Sequence, residues 1–367
     1  MHFAKKVVFL CFFACFAVLG TCNLLQAQTG PARFAYVANF NDNTVSAYTI
    51  NFSTGALTPT SPPTHTTGSG PTSVAVDQNG QFVYVTNFNS NSISAFIIDQ
   101  TFGNITEISC SPITTGVGVG PISIDVDRTN QFVYVANANS NNVSGFALDG
   151  TTGCLTPVPG SPFAAGNAPV WVIVDQSVSF VYTANLFSNN VTGFALNFAD
   201  GSLTQLANSP YAAGTNPTSI DVDGNSTFVF VANSFSNNIS GYRIEGSGTP
   251  SPTGNLIPNS SSPYAAGNSP SPGTLNPGFY FVPNYNDNNL MFYRVDATTG
   301  NLTLAGTVAT GSGPAAVVID PSSCFAYVAN SLANNVSAYT VNLGGGTVTP
   351  AGTFSAGAFA ILAATTR

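Results

Sequence analysis

The sequence predicts an all-β fold: a seven-bladed β-propeller of four-stranded antiparallel blades. Three observations predict it. The phrase "FVYVANANSNNVSGF", residues 132–146, recurs with variations seven times, starting at Phe34, Phe82, Phe132, Phe180, Phe228, Phe279 and Phe325. Each repeat, 46 to 51 residues from the next, divides into four strand-sized pieces separated by turns rich in Asn, Asp and Gly. The two ends of the chain are complementary, one lacking a strand that the other supplies.

The third repeat shows the elements in order. "PISIDVD" (121–127) is the first strand, "FVYVAN" (132–137) the second, "NVSGFAL" (142–148) the third and "CLTPVPG" (154–160) the fourth. Between them stand "DRTN", "NANSN" and "DGTTG", whose residues tolerate the left-handed conformations of hairpin turns. No window shows sustained helical periodicity. Phe, Tyr, Val and Ile fill the second strand at odd and even positions alike, which buries both of its faces. A unit of about 48 residues that is apolar on both faces is covered only by copies of itself, and stacking the sheets radially does this.

Closure follows from the ends. Only "QTGPAR" precedes Phe34, so the first copy has no first strand, while "AGAFAILAATTR" follows the last copy. The C-terminal segment is expected to become the inner strand of blade 1, leaving no long exposed edge. Two blades depart from the pattern. Before Phe279 the first-strand position reads "SPSPGTLNPG", whose three prolines remove ladder donors and predict a broken or irregular inner strand in blade 6. In blade 5, residues 244–254 form an extended loop between the third and fourth strands.

The N-terminal "MHFAKKVVFLCFFACFAVLG" has a basic start at Lys5 and Lys6 and an apolar run over residues 7–19. It is expected to be an export signal spanning residues 1–27, with residues 28–367 forming a single propeller domain. A lipoprotein signal ending before Cys22 is the alternative. The expected location is secreted, periplasmic or at the cell surface, as an outer-membrane lipoprotein in the alternative. No other stretch is long and apolar enough for a membrane helix. Charged residues make up 6% of the chain. After residue 27 there is no lysine, and five arginines stand against fifteen acids, a poor match for the phosphates of nucleic acid. Nothing in the pattern calls for an oligomer, and a monomer is expected. Cys110, Cys154 and Cys324 follow the signal at different places in their repeats. They permit one bridge at most, and they read as small residues of strands and turns.

The loops between second and third strands carry paired asparagines in every copy, Asn137 and Asn141 in the third. As a candidate polar face, Asn39, Asn87, Asn137, Asn185, Asn233, Asn284 and Asn330 would offer amides to a sugar or a partner surface. Turn chemistry explains the same residues, because Asn accepts positive φ and bonds nearby backbone. Their presence in every blade favours turns. Asp77, Asp127, Asp175, Asp223 and Asp320, at the ends of inner strands, likewise read as turn acceptors.

Residues that break the symmetry are better site candidates. Asp125 and Asp221 share one inner-strand position, where other blades have Ala75, Ile173 and Val318, and Trp171, the only tryptophan, lies on the inner strand of blade 4 between them. Facing a central channel, the three could form a polar pocket, an acid/base pair or a weak Ca²⁺ site; otherwise the acids bind channel water or backbone amides. No other cofactor is indicated. Arg243 and Arg294, two residues before Glu245 and Asp296, are expected to form surface ion pairs. After the signal there is one histidine, His65, in a loop-like "SPPTHTTG", and nothing places it beside a serine and an acid.

The phrases "YVAN…NNVSAY", "TTGCLTPVPGSPFAAG" and "GPTSVAVD" resemble the YVTN-type repeats of extracellular bacterial and archaeal propellers. These are grouped with lactonase-like propellers, whose named enzyme is a 6-phosphogluconolactonase. The resemblance runs from Phe34 to the C-terminus, but the matching residues are those that build blades. It implies the fold directly, and it implies either a cell-surface binding protein or a lactonase. Scarcity of cations, the lone histidine and the export pattern speak against a cytosolic phosphosugar substrate. The residues taken alone therefore favour an exported scaffold without a catalytic constellation, binding a protein, polysaccharide or cell-envelope component. A lactone hydrolase, either 6-phosphogluconolactonase-like or a metal-dependent extracellular lactonase, is the alternative.

Overall fold

In the computed structural model, residues 33–249 and 252–366 are described; the expected export segment, with its Cys22 alternative, lies outside them. Seven antiparallel sheets form the blades of a propeller. Six take their inner strand from their own repeat: Pro71–Val76, Pro121–Val126, Pro169–Val174, Pro217–Val222, Thr274–Asn276 and Pro314–Ile319. Blade 1 takes Ala360–Thr365, which pairs antiparallel with Phe34–Asn39 (Tyr36 opposite Ala364) and closes the ring as expected. The junction is pinned on both sides of Phe34. The Phe34 N–H donates to Thr366 Oγ1 at 2.9 Å, and the Arg33 guanidinium pairs with Asp320 of blade 7 at 2.6 Å.

Every second strand is buried along its whole length. Alternation along the strand explains why. In blade 3, Phe132, Tyr134 and Ala136 pack into the core shared with blade 4, whereas Val133 and Val135 pack into the core shared with blade 2. Each gap between neighbouring blades is filled by such a cluster, including the one between blades 7 and 1. Full burial of each large side chain is worth ~1.5–3 kcal/mol.

Polar contacts set the blade spacing. The Tyr134 hydroxyl donates to the Gly201 carbonyl in the third-to-fourth-strand turn of blade 4, at 2.8 Å. Tyr36, Tyr84, Tyr182 and Tyr327 make the equivalent bond to Gly103, Gly153, Gly254 and Gly55. Gly201 has φ +77°, and a Cβ there would stand 2.4 Å from the Phe132 ring, so the turn needs glycine for both reasons. Blade 5 has Phe230 in place of this tyrosine, and Asn259 Nδ2 reaches the Gly300 carbonyl instead, at 3.0 Å.

A second set of bonds lies on the opposite face. Asn43, Asn91, Asn141, Asn189, Asn237, Asn288 and Asn334 all adopt φ between 51° and 56°. The side-chain oxygen of each accepts the backbone N–H that opens the next blade's inner strand, at 2.8 or 2.9 Å. The last, from Phe359 to Asn334, ties the C-terminal strand to blade 7.

Blade 6 is irregular as expected. Its inner strand keeps three residues, and ahead of it only an isolated bridge joins Pro270 to Asn284. In blades 2 to 5 the fourth strand is split in two, as in Leu155–Pro157 and Phe163–Ala164. The cysteines depart from the reading as ordinary small residues, for Cys110 and Cys154 form a disulfide with Cα atoms 6.0 Å apart. Their different repeat positions concealed this proximity. The third-to-fourth-strand turn of blade 3, which Cys154 ends, leans on blade 2 through the Tyr84–Gly153 bond.

Two outcomes test this account. Deleting residues 357–367 should cost on the order of several kcal/mol and lower the melting temperature sharply, since blade 1 loses its inner strand; an unchanged melt would contradict the closure. Asn141→Ala should cost roughly 2 kcal/mol, from a lost inter-blade bond and a left-handed φ. Asn141→Gly should cost about half as much by chemical denaturation, because glycine relieves the φ but not the bond.

Candidate functional site

The inner strands line a cavity of about 670 Å³. One layer of it holds the residue opposite the third position of each second strand. Going round the ring these are Ala364, Ala75, Asp125, Ile173, Asp221, Thr274 and Val318. The layer thus has four apolar members, a threonine and two carboxylates. Trp171 lines the same cavity two residues before Ile173, half-buried, and it packs against the core between blades 4 and 5. The three asymmetric residues singled out by the sequence therefore share one cavity.

Both acids bridge blades. Asp125 Oδ2 accepts the Val174 N–H of blade 4 at 2.8 Å. Asp221 Oδ2 accepts the Leu275 N–H of blade 6 at 2.5 Å, and its Oδ1 accepts the Val222 N–H at 2.8 Å. An inner strand is a sheet edge, and its cavity-facing amides have no ladder partner, so a carboxylate from the preceding blade satisfies one. Burial pushes the Asp221 carboxyl up from 3.8 to about 7. The amide bonds oppose that shift, and the nearby Asp125 and Asp223 carboxylates add to it. Asp221 is thus poised to exchange a proton near neutrality.

As calcium ligands the pair is a thin donor set. Among the described residues no three or more His, Cys, Asp or Glu are placed so that together they could hold a metal ion. Most of the six to eight oxygens that Ca²⁺ takes would have to be carbonyls and water.

The asparagine ring does not form a polar face. Asn39, Asn87, Asn137, Asn185, Asn233, Asn284 and Asn330 are all fully buried. Each donates from Nδ2 across its own hairpin, as Asn137 does to Asn142 Oδ1 and Ser144 Oγ, both at 2.9 Å. The last residue of a fully buried strand cannot turn its amide to solvent. The inner-strand acids are turn acceptors as read: Asp127 Oδ2 accepts the N–H groups of Gln131 and Phe132, and Asp77 Oδ1 those of Gln81 and Phe82. The ion pairs expected at Arg243 and Arg294 are not formed, since the one salt bridge among the described residues joins Arg33 and Asp320. Glu245 is held by Thr253 and Asn255, Asp296 caps its own turn, and Arg294 lies over the Phe279 ring, 4.9 Å from its centroid. His65 is in the outer strand Leu57–Thr66 of blade 1, away from the axis.

Two features escaped sequence reasoning. Arg128, exposed just after the inner strand of blade 3, is the one basic residue among the described residues lining the axial cavity. The other is a second cavity of about 600 Å³ between blades 5 and 6, lined by Asp221, Asp223, Gly224, Phe228 and the segment from Thr274 to Gly278. The prolines of blade 6 were its signal: a three-residue inner strand leaves the side of blade 5 partly uncovered.

The model of the lactonase family of seven-bladed β-propellers matches residues 26–174, 167–265 and 274–360. Among solved structures, similar folds include a Bacteroides uniformis protein provisionally named a 6-phosphogluconolactonase (TM-score 0.80, 15% identity, covering 92% of this chain and 100% of the other). Others are the periplasmic gluconolactonase of Pseudomonas aeruginosa (0.77, 16%, 92% and 99%) and a Lactobacillus plantarum protein (0.72, 20%, 92% and 100%). No curated protein matches the chain. At these identities the structures speak for the fold, and the family match covers most of the sequence: the chain belongs to the lactonase family of seven-bladed β-propellers.

Proposed function

We propose that the protein is a lactone hydrolase working in the axial cavity, with Asp221 as its general base. The observation that carries this reading is the convergence of Asp125, Asp221 and Trp171 on one cavity, with the Asp221 carboxyl raised to about 7. Membership of a lactonase family supports it. The scaffold reading is weakened, because the amide ring it would use for contact is buried. The export pattern of residues 1–27 favours a lactone met outside the cytoplasm.

The chemistry follows from these residues. Ionised Asp221 takes a proton from water as the water oxygen bonds to the lactone carbonyl carbon. The tetrahedral oxyanion collapses, the ring C–O bond breaks, and Asp221 returns the proton to the departing ring oxygen. Arg128 is the cation available to the developing negative charge, and the Trp171 face is an apolar wall for the ring.

Asp221→Asn should lower lactonase kcat by ~10²–10⁴-fold, the range for losing a general base. In the wild type the rate should rise with pH through about 7 as Asp221 ionises. Full activity in the variant, or a rate flat across that range, would refute the assignment. The same group affects stability. Its folded pKa lies above the unfolded value, so its contribution is complete below about 3.8 and is lost as pH rises to about 7. Between those pH values the wild type should lose stability relative to Asp221→Asn, measured by chemical denaturation. Parallel profiles would mean that Asp221 does not titrate there.

A further inference from the structure

Asp221 belongs to two cavities. It lines the axial cavity and the one between blades 5 and 6, and Thr274, Leu275, Asn276 and Pro277 are common to both. The cavities therefore share the shortened inner strand of blade 6 and the Asp221 carboxyl as a common wall. Neither suits an anion. Among the described residues, those lining the second cavity include Asp221 and Asp223 but no lysine, arginine or histidine. In the first, among the described residues, Arg128 is the one basic lining residue against Asp77, Asp125 and Asp221, and a fourth acid, Asp320, is already paired with Arg33. A phosphate placed there meets net negative charge.

From this we infer, resting on the hydrolase reading above, that the substrate is an uncharged sugar lactone with a second sugar-sized group. The lactone ring lies at the axis and the second group lies between blades 5 and 6. Polar groups suit hydroxyls here: Thr274 and Asn276 on the shared wall, and Asn225 in the second cavity. The charge balance also favours turnover, because hydrolysis turns the neutral lactone into a carboxylate that the acidic lining repels.

Gly224 supplies the test. It lines the second cavity only, and a Cβ there would meet nothing within 4 Å, so Gly224→Trp adds bulk without a backbone clash. The probes are cellobiono-1,5-lactone, glucono-1,5-lactone and 6-phosphoglucono-1,5-lactone, followed by proton release, and the three corresponding non-hydrolysable lactams. Lactam binding is read in the wild type and in Gly224→Leu, in both of which Trp171, the only native tryptophan, reports alone. The wild type should prefer the two-ring lactone about tenfold over the single ring, and at least that much over the phosphorylated one. Both Gly224 variants should lose the two-ring preference while single-ring turnover stays within about twofold. Preference for the phosphorylated probe, equal use of one and two rings, or an equal loss on every probe would overturn the inference. Tight, two-ring-selective lactam binding without turnover of any lactone would sink the hydrolase reading and leave the recognition standing. Turnover of single rings alone would do the reverse.

Discussion

The ring depends on one hydrogen bond made seven times. An asparagine held at positive φ turns its side-chain oxygen across the gap and takes the amide that opens the next blade. That amide begins an inner strand, at a sheet edge, and would otherwise lack a partner. The φ and the bond are linked, since the left-handed turn aims the side chain and few residues other than asparagine accept that turn while carrying an acceptor. The tyrosine-to-glycine bonds do the same work from the opposite face, and blade 5 shows how it survives a change: Phe230 removes the hydroxyl and Asn259 reaches the carbonyl instead.

This division explains what could be read from the sequence. Blade number and strand order were legible because each is written in every repeat, closure because the two ends are complementary, and a buried second strand leaves a Phe-x-Tyr or Phe-x-Phe pattern wherever it occurs. The irregular inner strand of blade 6 was legible because proline has a single physical meaning in a ladder. The role of the asparagines was legible only in part. Repetition pointed to turns, but the sequence does not distinguish a buried amide from an exposed one, and Asn137 and Asn141, four residues apart, do different work. The Cys110–Cys154 bond was hidden because its partners occupy unlike positions in successive repeats.

The site was legible through broken symmetry. Asp125 and Asp221 stood out against Ala75, Ile173 and Val318, and the strand register puts all five in one layer. Arg128 was not legible, and the space between blades 5 and 6 was signalled only indirectly, by the prolines of blade 6. An arginine after a strand reads as ordinary surface, and a cavity is a property of what two neighbouring blades fail to fill. The bond from Leu275 to Asp221 was equally beyond reach, because it depends on how the shortened strand lies against blade 5.

These features bear on one another at Asp221. A carboxyl in this layer is not required by the fold, since alanine, isoleucine and valine occupy the same place in other blades. Its burial favours the protonated form, and each bond it accepts from Leu275 and Val222 favours the ionised one. A carboxylate under burial alone would stay protonated and be useless as a base, whereas one under hydrogen bonding alone would be too weak a base at neutral pH. The opposition of the two holds the group near 7. The Leu275 amide supplies its part as the Val174 amide does for Asp125: each belongs to the next blade's inner strand, one residue past the shared layer.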